Sequence, residues 1–266
     1  MQTIFITGTS TGIGKATAKL FQSKGWRVIA TMRKPEKETE LTKLENVTVL
    51  PLDVTNLEQI KSTVEKAISS GSIDVVLNNA GYGLLGAMES YSDEQIVRNI
   101  NTNLLGVIRV TQAFIPHFRE KKSGLFVNVT SIAGLMAHPF SSVYHAAKWG
   151  VEGWSESLSI ELAPFNIGVK TVSPSGTNSD FFSRSGTSVS HPVYDNVLQK
   201  ISGDIKPNNT PEQIAEIIYE AVTDNKDQLR YLAGEVARTT YARRLEIGAE
   251  EFRKEVKKYF LSLFGV

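Results

Sequence analysis

Tyr144 and Lys148 stand four residues apart in Tyr144-His145-Ala146-Ala147-Lys148. On a helix that spacing puts a phenol and an ammonium on one face, one turn apart. A free tyrosine has a pKa of about 10 and is a weak base at neutral pH. A neighbouring positive charge favours the phenolate, so the pair predicts a phenol that exchanges a proton with an alcohol or a forming alkoxide. By itself the spacing is as consistent with a surface coincidence. Ser131, in Thr130-Ser131-Ile132-Ala133-Gly134, adds a hydroxyl that can hold a substrate oxygen as charge develops on it; a turn or cap serine is the plain alternative. Asn103 falls inside a helical stretch, where a mediocre helix former points to a buried polar role.

A second chemistry sits near the start of the chain, in Thr7-Gly8-Thr9-Ser10-Thr11-Gly12-Ile13-Gly14. Missing β-carbons let a pyrophosphate approach the backbone, and a helix start adds free N–H groups and a positive dipole end. A glycine turn with packing duties only is the alternative. The segment after the next strand distinguishes two dinucleotides. NAD(H) calls for Asp or Glu there to hold the ribose 2′-hydroxyl. This chain has Ala30-Thr31-Met32-Arg33-Lys34, with no acid before Glu36. A basic pair suits a 2′-phosphate, so Arg33 predicts NADP(H) over NAD(H), with a solvated loop charge as the alternative.

These residues need a scaffold, and the hydrophobic pattern supplies one. Apolar runs of strand length are Thr3–Thr7, Arg27–Thr31, Val47–Leu52, Ile73–Asn78, Gly124–Thr130, Ile167–Ser173 and Leu229–Ala233. Helical periodicity covers Ile13–Lys24, Asn56–Ser70, Asp93–Lys121, Val143–Phe165 and Pro211–Asp224. Alternation of this kind predicts an α/β fold, a Rossmann-type doubly wound parallel sheet of about seven strands with helices on both faces. No linker or repeat divides the chain, so residues 1–266 are expected to form a single NADP(H)-binding domain. Residues 178–210, rich in Ser, Gly, Asn and Pro, are expected to be a substrate loop with short helical pieces. The tail, 243–266, predicts an amphipathic helix with Phe252, Val256, Tyr259, Phe260 and Leu263 on one face. That face docks on its own domain or a sister subunit, or lies on a membrane surface.

Composition excludes several classes. There are no cysteines among the 266 residues, so disulfides, thiolate metal sites and thiol catalysis are out. The four histidines lack the pairing of a zinc helix, and no metal is expected. A net charge of +1 gives no electrostatic reason to expect nucleic acid. No apolar run approaches the roughly 18 residues of a membrane span, and no signal peptide precedes the first strand; a cytoplasmic protein is expected.

Taken together, the residues resemble the short-chain dehydrogenase/reductase family of the classical type. The landmarks are the Thr7–Gly14 turn, Asp53-Val54, Asn78-Asn79-Ala80-Gly81, Asn103, Ser131, Tyr144 with Lys148, and Pro174. The resemblance runs from Thr3 to about Ala233. It implies that Asn103, Ser131, Tyr144 and Lys148 form a catalytic tetrad. It further implies a cofactor site from Gly8, Thr9, Ser10, Gly12, Ile13, Gly14, Arg33, Asp53, Val54, Asn79, Ala80, Gly81, Tyr144, Lys148 and Thr177. Lys148 would also hold the nicotinamide ribose and, with the Asn103 region, relay protons to solvent. One departure is Pro174-Ser175-Gly176 where the family has Pro-Gly; a later Thr of that motif is replaced by Ser179. A homodimer or homotetramer is implied.

Gly81–Gly86 and Leu135–Phe140 resemble the hydroxysteroid and retinol dehydrogenase-like branch. Leu84, Leu85, Leu135, His138 and Phe140, with Phe181, Phe182, Val189 and Tyr194 of the loop, predict a pocket for a medium-sized apolar alcohol or carbonyl compound. Packing of the domain alone is the other reading of these side chains. Two rival functions are a non-catalytic NADP(H) sensor or scaffold, and an isomerase or dehydratase of the extended branch. Retention of both Tyr144 and Lys148 speaks against the first, and chain length and glycine spacing against the second.

Overall fold

All five residues of β1 (Thr3–Thr7) are buried, as expected for a strand covered on both faces. In the computed structural model, which describes residues 1–178, 188–204 and 208–265, β1 lies inside a seven-stranded sheet. The chain continues through α1 (Gly12–Ser23), β2 (Arg27–Met32), β3 (Val47–Pro51), α2 (Leu57–Ser69), β4 (Val75–Asn78) and β5 (Leu85–Gly86). Next come α3 (Asp93–Ile100), α4 (Gly106–Lys121), β6 (Gly124–Val129), α5 (Ser142–Leu162), β7 (Ile167–Pro174) and β8 (Ser188–Val189). The last elements are α6 (Asp195–Asp204), α7 (Pro211–Thr223), β9 (Arg230–Ala233), α8 (Glu235–Ile247) and α9 (Ala249–Leu263).

The sheet order is β3-β2-β1-β4-β6-β7-β9, every pairing parallel. Alternate residues of each strand feed opposite layers. Ile4 and Ile6 of β1 join Phe21 of α1 and Ile214 and Ile218 of α7 in one core. Phe5 joins Val64 of α2, Phe114 of α4 and Leu158 of α5 in the other. The strand order reverses between β1 and β4, and at such a switch point an open parallel sheet forms a crevice at its carboxyl edge. The expected α/β fold is therefore present.

Three expected boundaries need correction. The predicted helix over Asp93–Lys121 is interrupted by a π-helical turn at Asn101–Leu105, which the residue pattern does not signal. The helix expected to run to Phe165 ends at Leu162, followed by a short 3-10 turn containing Pro164. The C-terminal region is two helices meeting at Gly248, not one beginning at Arg243. Within the expected substrate loop, α6 is a ten-residue helix; Phe181 and Phe182 lie outside the described residues, as does Ser179. No helix among the described residues is long and apolar enough to cross a membrane.

Candidate active site

The glycine turn leaves β1 at the carboxyl edge. Gly8 and Gly12 have φ of +74° and +56°, values costly for side chains with a Cβ. A Cβ on Gly14 would collide with the Gly8 carbonyl and the Asn79 amide. Asn79 Nδ2 donates to Thr7 O at 2.9 Å and Gly8 O at 3.0 Å, which ties the end of β4 to the turn. The amides of Asn79 and Ala80 both reach Thr7 Oγ1. Thr9 is fully buried with its hydroxyl on Thr31 O at 3.1 Å, so it shapes the turn from beneath. Ser10 is exposed and Ile13 half-buried above it. Thr11 opens α1 without a side-chain cap, and the first turn carries no acid. This uncapped helix start fits a dinucleotide pyrophosphate.

Around that turn, Asp53 Oδ1 accepts from Thr55 N at 2.9 Å, and Val54 packs where Gly106 lacks a Cβ. Arg33 follows β2, exposed, and makes no ion pair among the described residues. Two acids of the following segment, Glu38 and Glu40, are engaged elsewhere. Glu38 accepts from Leu41 N at 2.9 Å and pairs with Lys15, and Glu40 pairs with Lys15 and Lys19.

The four residues expected to form a tetrad converge at the same edge. Tyr144 and Lys148 lie on the buried face of α5, 7% and 4% exposed. Lys148 Nζ is 5.8 Å from the Tyr144 ring centre and donates to Val129 O at 2.9 Å. Ser131 follows β6 by two residues; its Oγ accepts from Ala133 N at 3.1 Å and hydrogen-bonds Tyr144. Asn103 sits in the π turn, fully buried; such turns collect at functional sites. Its Oδ1 accepts from Tyr82 N at 3.0 Å and its Nδ2 donates to Tyr82 O at 2.9 Å. A Cβ on Gly81 would lie 2.6 Å from Asn103 Oδ1 and 3.8 Å from Lys148 Nζ, so this glycine lets the two groups approach. Thr177 is further along, its hydroxyl on Ser175 O at 3.0 Å.

The electrostatics correct one expectation. Burial, not Lys148, dominates Tyr144 and holds its pKa above the ordinary value; the Ser131 hydrogen bond pulls the other way. Burial also lowers Lys148 to about 8, against the opposing charge of Glu152. Desolvation disfavours whichever form is charged, so both groups sit on the neutral side of where solvent would leave them. Glu152 itself escaped the sequence analysis, although an acid one turn after Lys148 on a buried face is a signal that could have found it.

His145, beside Tyr144, bonds to the turn that follows Ser131. Its Nε2 accepts from His138 N at 3.2 Å, so Nδ1 carries the proton and donates to Ala133 O at 2.6 Å. Burial, and then the neighbouring His138, lower His145 to about 4. A histidine shifted down favours folding fully above its unfolded pKa of 6.5 and loses that contribution as pH falls through 4. The loss amounts to about 3 kcal/mol. Denaturant unfolding at pH 7 and pH 4 should show it, and His145→Gln should flatten the acid side of the curve. An unchanged acid slope in that variant would contradict the assignment.

Among the described residues, Leu84, Leu85, Phe140, Val189 and Tyr194 of the expected pocket fall in two apolar clusters. Leu84, Tyr91 and Val143 form one, with Val189 against it. Phe140, Ala87, Val197, Leu198 and Ile201 form the other, with Leu85, Tyr194, Phe260 and Leu263 against it. Phe140 has φ +65°, an uncommon strain for an aromatic residue. Its carbonyl accepts from Gly86 N at 2.8 Å and Tyr91 OH at 3.2 Å. The face of α9 therefore docks on its own chain, through Phe252 and the Phe260–Phe140 ring contact at 5.5 Å. A cleft of about 370 Å³ runs between Met136, His138 and Pro139 after β6, Ile201 of α6, and Phe252, Val256 and Tyr259 of α9. A second cleft, of about 320 Å³, lies between α2 and α4, away from Ser131, Tyr144 and Lys148.

Known proteins share this fold. The model of the short chain dehydrogenase family matches residues 2–189. An uncharacterized oxidoreductase of Schizosaccharomyces pombe is 42% identical over 209 residues, covering 77% of this chain and 89% of the relative. The 3-ketodihydrosphingosine reductase of Bacteroides thetaiotaomicron is 40% identical over 181 residues, 68% of this chain and 65% of that protein. A short-chain dehydrogenase from Streptomyces avermitilis superposes with a TM-score of 0.84 at 28% identity, covering 99% of this chain and 98% of that one. ElxO with NADP bound superposes with a TM-score of 0.77 at 26% identity, covering 90% and 99%. With the fold and the matched residues in agreement, this chain belongs to the short-chain dehydrogenase family of oxidoreductases.

Proposed function

We propose that the protein is an NADPH-dependent carbonyl reductase for medium-sized apolar ketones or aldehydes. One observation carries it: Ser131, Tyr144, Lys148 and Asn103 converge beside an uncapped, glycine-lined helix start. When bound, the reduced nicotinamide supplies the hydride. Ser131, whose oxygen already accepts from Ala133 N, donates its own proton toward the substrate oxygen. Tyr144, kept protonated by burial, gives its proton to the forming alkoxide. Lys148 orients the ribose and returns a proton toward Tyr144. Because both ends of the Asn103 side chain are held by Tyr82, its part is to fix the Gly81–Tyr82 segment and the π turn. At neutral pH burial leaves Tyr144 protonated, the form that carbonyl reduction requires of it. The sensor reading is disfavoured because every proton-handling group is present.

The apolar clusters and the cleft beside α9 support an apolar substrate, in keeping with the hydroxysteroid and retinol branch resemblance. The ketone named for the Bacteroides relative points to an alkyl chain. In a series of n-alkyl ketones reduced with NADPH, kcat/KM should rise about four-fold per added methylene until the pocket is filled. No preference for long ketones over small polar ones would contradict the substrate class. We also propose that residues 1–266 act as one domain and as a homo-oligomer, since Ile160 of α5 is 73% exposed and Trp149 of the same helix is 42% exposed. Sedimentation as a monomer would refute the assembly.

A further inference from the structure

Glu152 lies one turn beyond Lys148 on α5, is 3% exposed, and has no part in the chemistry described so far. Its carboxylate is met from β7, from β9 and from the residue that follows β6. Oε1 accepts from Thr130 Oγ1 at 2.6 Å and Ser173 Oγ at 2.9 Å. Oε2 accepts from Arg230 Nε at 3.1 Å and Thr171 Oγ1 at 3.2 Å. Four donors satisfy the buried charge. Thr130 immediately precedes Ser131, and Val129, one residue earlier, takes the Lys148 hydrogen bond at 2.9 Å. The helix thus grips two successive residues at the end of β6, through Lys148 and through Glu152. The turn after Ser131 packs on the same stretch: a Cβ on Gly134 would lie 2.9 Å from Lys148 O and 3.0 Å from Glu152 Cγ. For folding alone, a buried ion pair can usually be replaced by apolar side chains at no loss, so four convergent donors here call for a reason.

We propose that Glu152 is a positioning residue for the reaction: it fixes the Ser131 end of β6 against α5 and supplies the negative charge that keeps Lys148 protonated. Burial would otherwise carry Lys148 further down than about 8. The charged and titratable groups facing this pair are Tyr144 on α5, Arg230 on β9, and Glu156, which pairs with Arg230 from the next turn of α5. Strands β6 and β7 contribute hydroxyls and a carbonyl, and the π turn contributes the uncharged Asn103. The proposal rests on Tyr144 and Lys148 handling the proton.

The test is the pH profile of ketone reduction by the full chain at saturating NADPH, whose alkaline limb marks loss of the Lys148–Tyr144 proton. Glu152→Gln keeps the side chain's size and removes its charge. Its limb should move about one pH unit lower, and kcat at neutral pH should fall about two-fold through the lost protonation. Arg230→Gln removes the positive charge on the far side of the carboxylate, and its limb should move higher. Arg230 is partly exposed, so this variant carries the test if Glu152→Gln does not fold: a limb shifted upward supports the proposal and an unmoved limb overturns it. A merely structural Glu152 lowers activity at every pH and leaves both limbs in place, which also overturns it. Tyr144→Phe in the same assay separates the two levels. Parental turnover there means that the acid assignment has failed; a dead variant with unmoved limbs elsewhere means that only the role of Glu152 has failed.

Discussion

Tyr144→Phe should lower kcat for ketone reduction about a thousand-fold, within the range that a positioned general acid contributes, while NADPH affinity changes by no more than about two-fold. The substitution removes one oxygen from a side chain that is 7% exposed and keeps the ring that packs there. Lys148 keeps its bond to Val129 O, and the glycine turn is untouched. What is lost is the proton that meets the alkoxide, together with the hydroxyl that hydrogen-bonds Ser131. The parent enzyme should also show which protonation state works. Reduction needs Tyr144 and Lys148 protonated, so its rate should be flat at lower pH and fall as pH rises through the Lys148 value of about 8. Alcohol oxidation needs the phenolate and should instead increase toward alkaline pH, because burial holds Tyr144 above its ordinary value. Turnover of the Phe variant near the parental rate would remove Tyr144 from the chemistry, whatever the cofactor does.

The sheet and the positions of Ser131, Tyr144 and Lys148 were legible because each depends on local pattern. Seven apolar runs predicted seven strands, and β1 matches residue for residue. The i, i+4 rule put Tyr144 and Lys148 on one face without any knowledge of the fold. What could not be read were effects that require a third partner. The π turn around Asn103 arises where Gly106 packs against Val54, from a distant loop. Glu152 acquires its donors from Thr130, Thr171, Ser173 and Arg230, up to 78 positions away in the sequence. The pKa of Tyr144 was expected to fall from its spacing to Lys148, yet it rises, because depth of burial is a tertiary property and outweighs the neighbouring charge. The break at Gly248 was missed for a related reason: charged residues continue on both sides in helical spacing, and only the φ of +83° at Gly248 turns the chain.

Arg33→Asp should change the ratio of NADPH to NADH affinity about two- to three-hundred-fold. Loss of a charge-assisted hydrogen bond to the 2′-phosphate accounts for about 1.5–3 kcal/mol, and repulsion by the new carboxylate adds roughly 1 kcal/mol at a solvated site. The same carboxylate gives the 2′-hydroxyl of NADH an acceptor at the end of β2, so NADH should bind slightly better as NADPH binds much worse. The surroundings favour so clean an exchange. Arg33 is exposed and makes no ion pair among the described residues, and Glu38 and Glu40 are already held by Lys15 and Lys19. Glu38 and Glu40 are therefore not left to compete for the guanidinium or to replace the missing ribose acceptor. Titration of the parent and the variant with each dinucleotide, followed by nicotinamide fluorescence, measures the ratio. Raising the salt concentration should weaken the parent's hold on NADPH more than on NADH, since the extra contact is between exposed charges. Equal affinities in the parent would overturn the role of Arg33 and leave the tetrad standing, because Tyr144 and Lys148 act at the other end of the dinucleotide and do not depend on how its adenosine ribose is held.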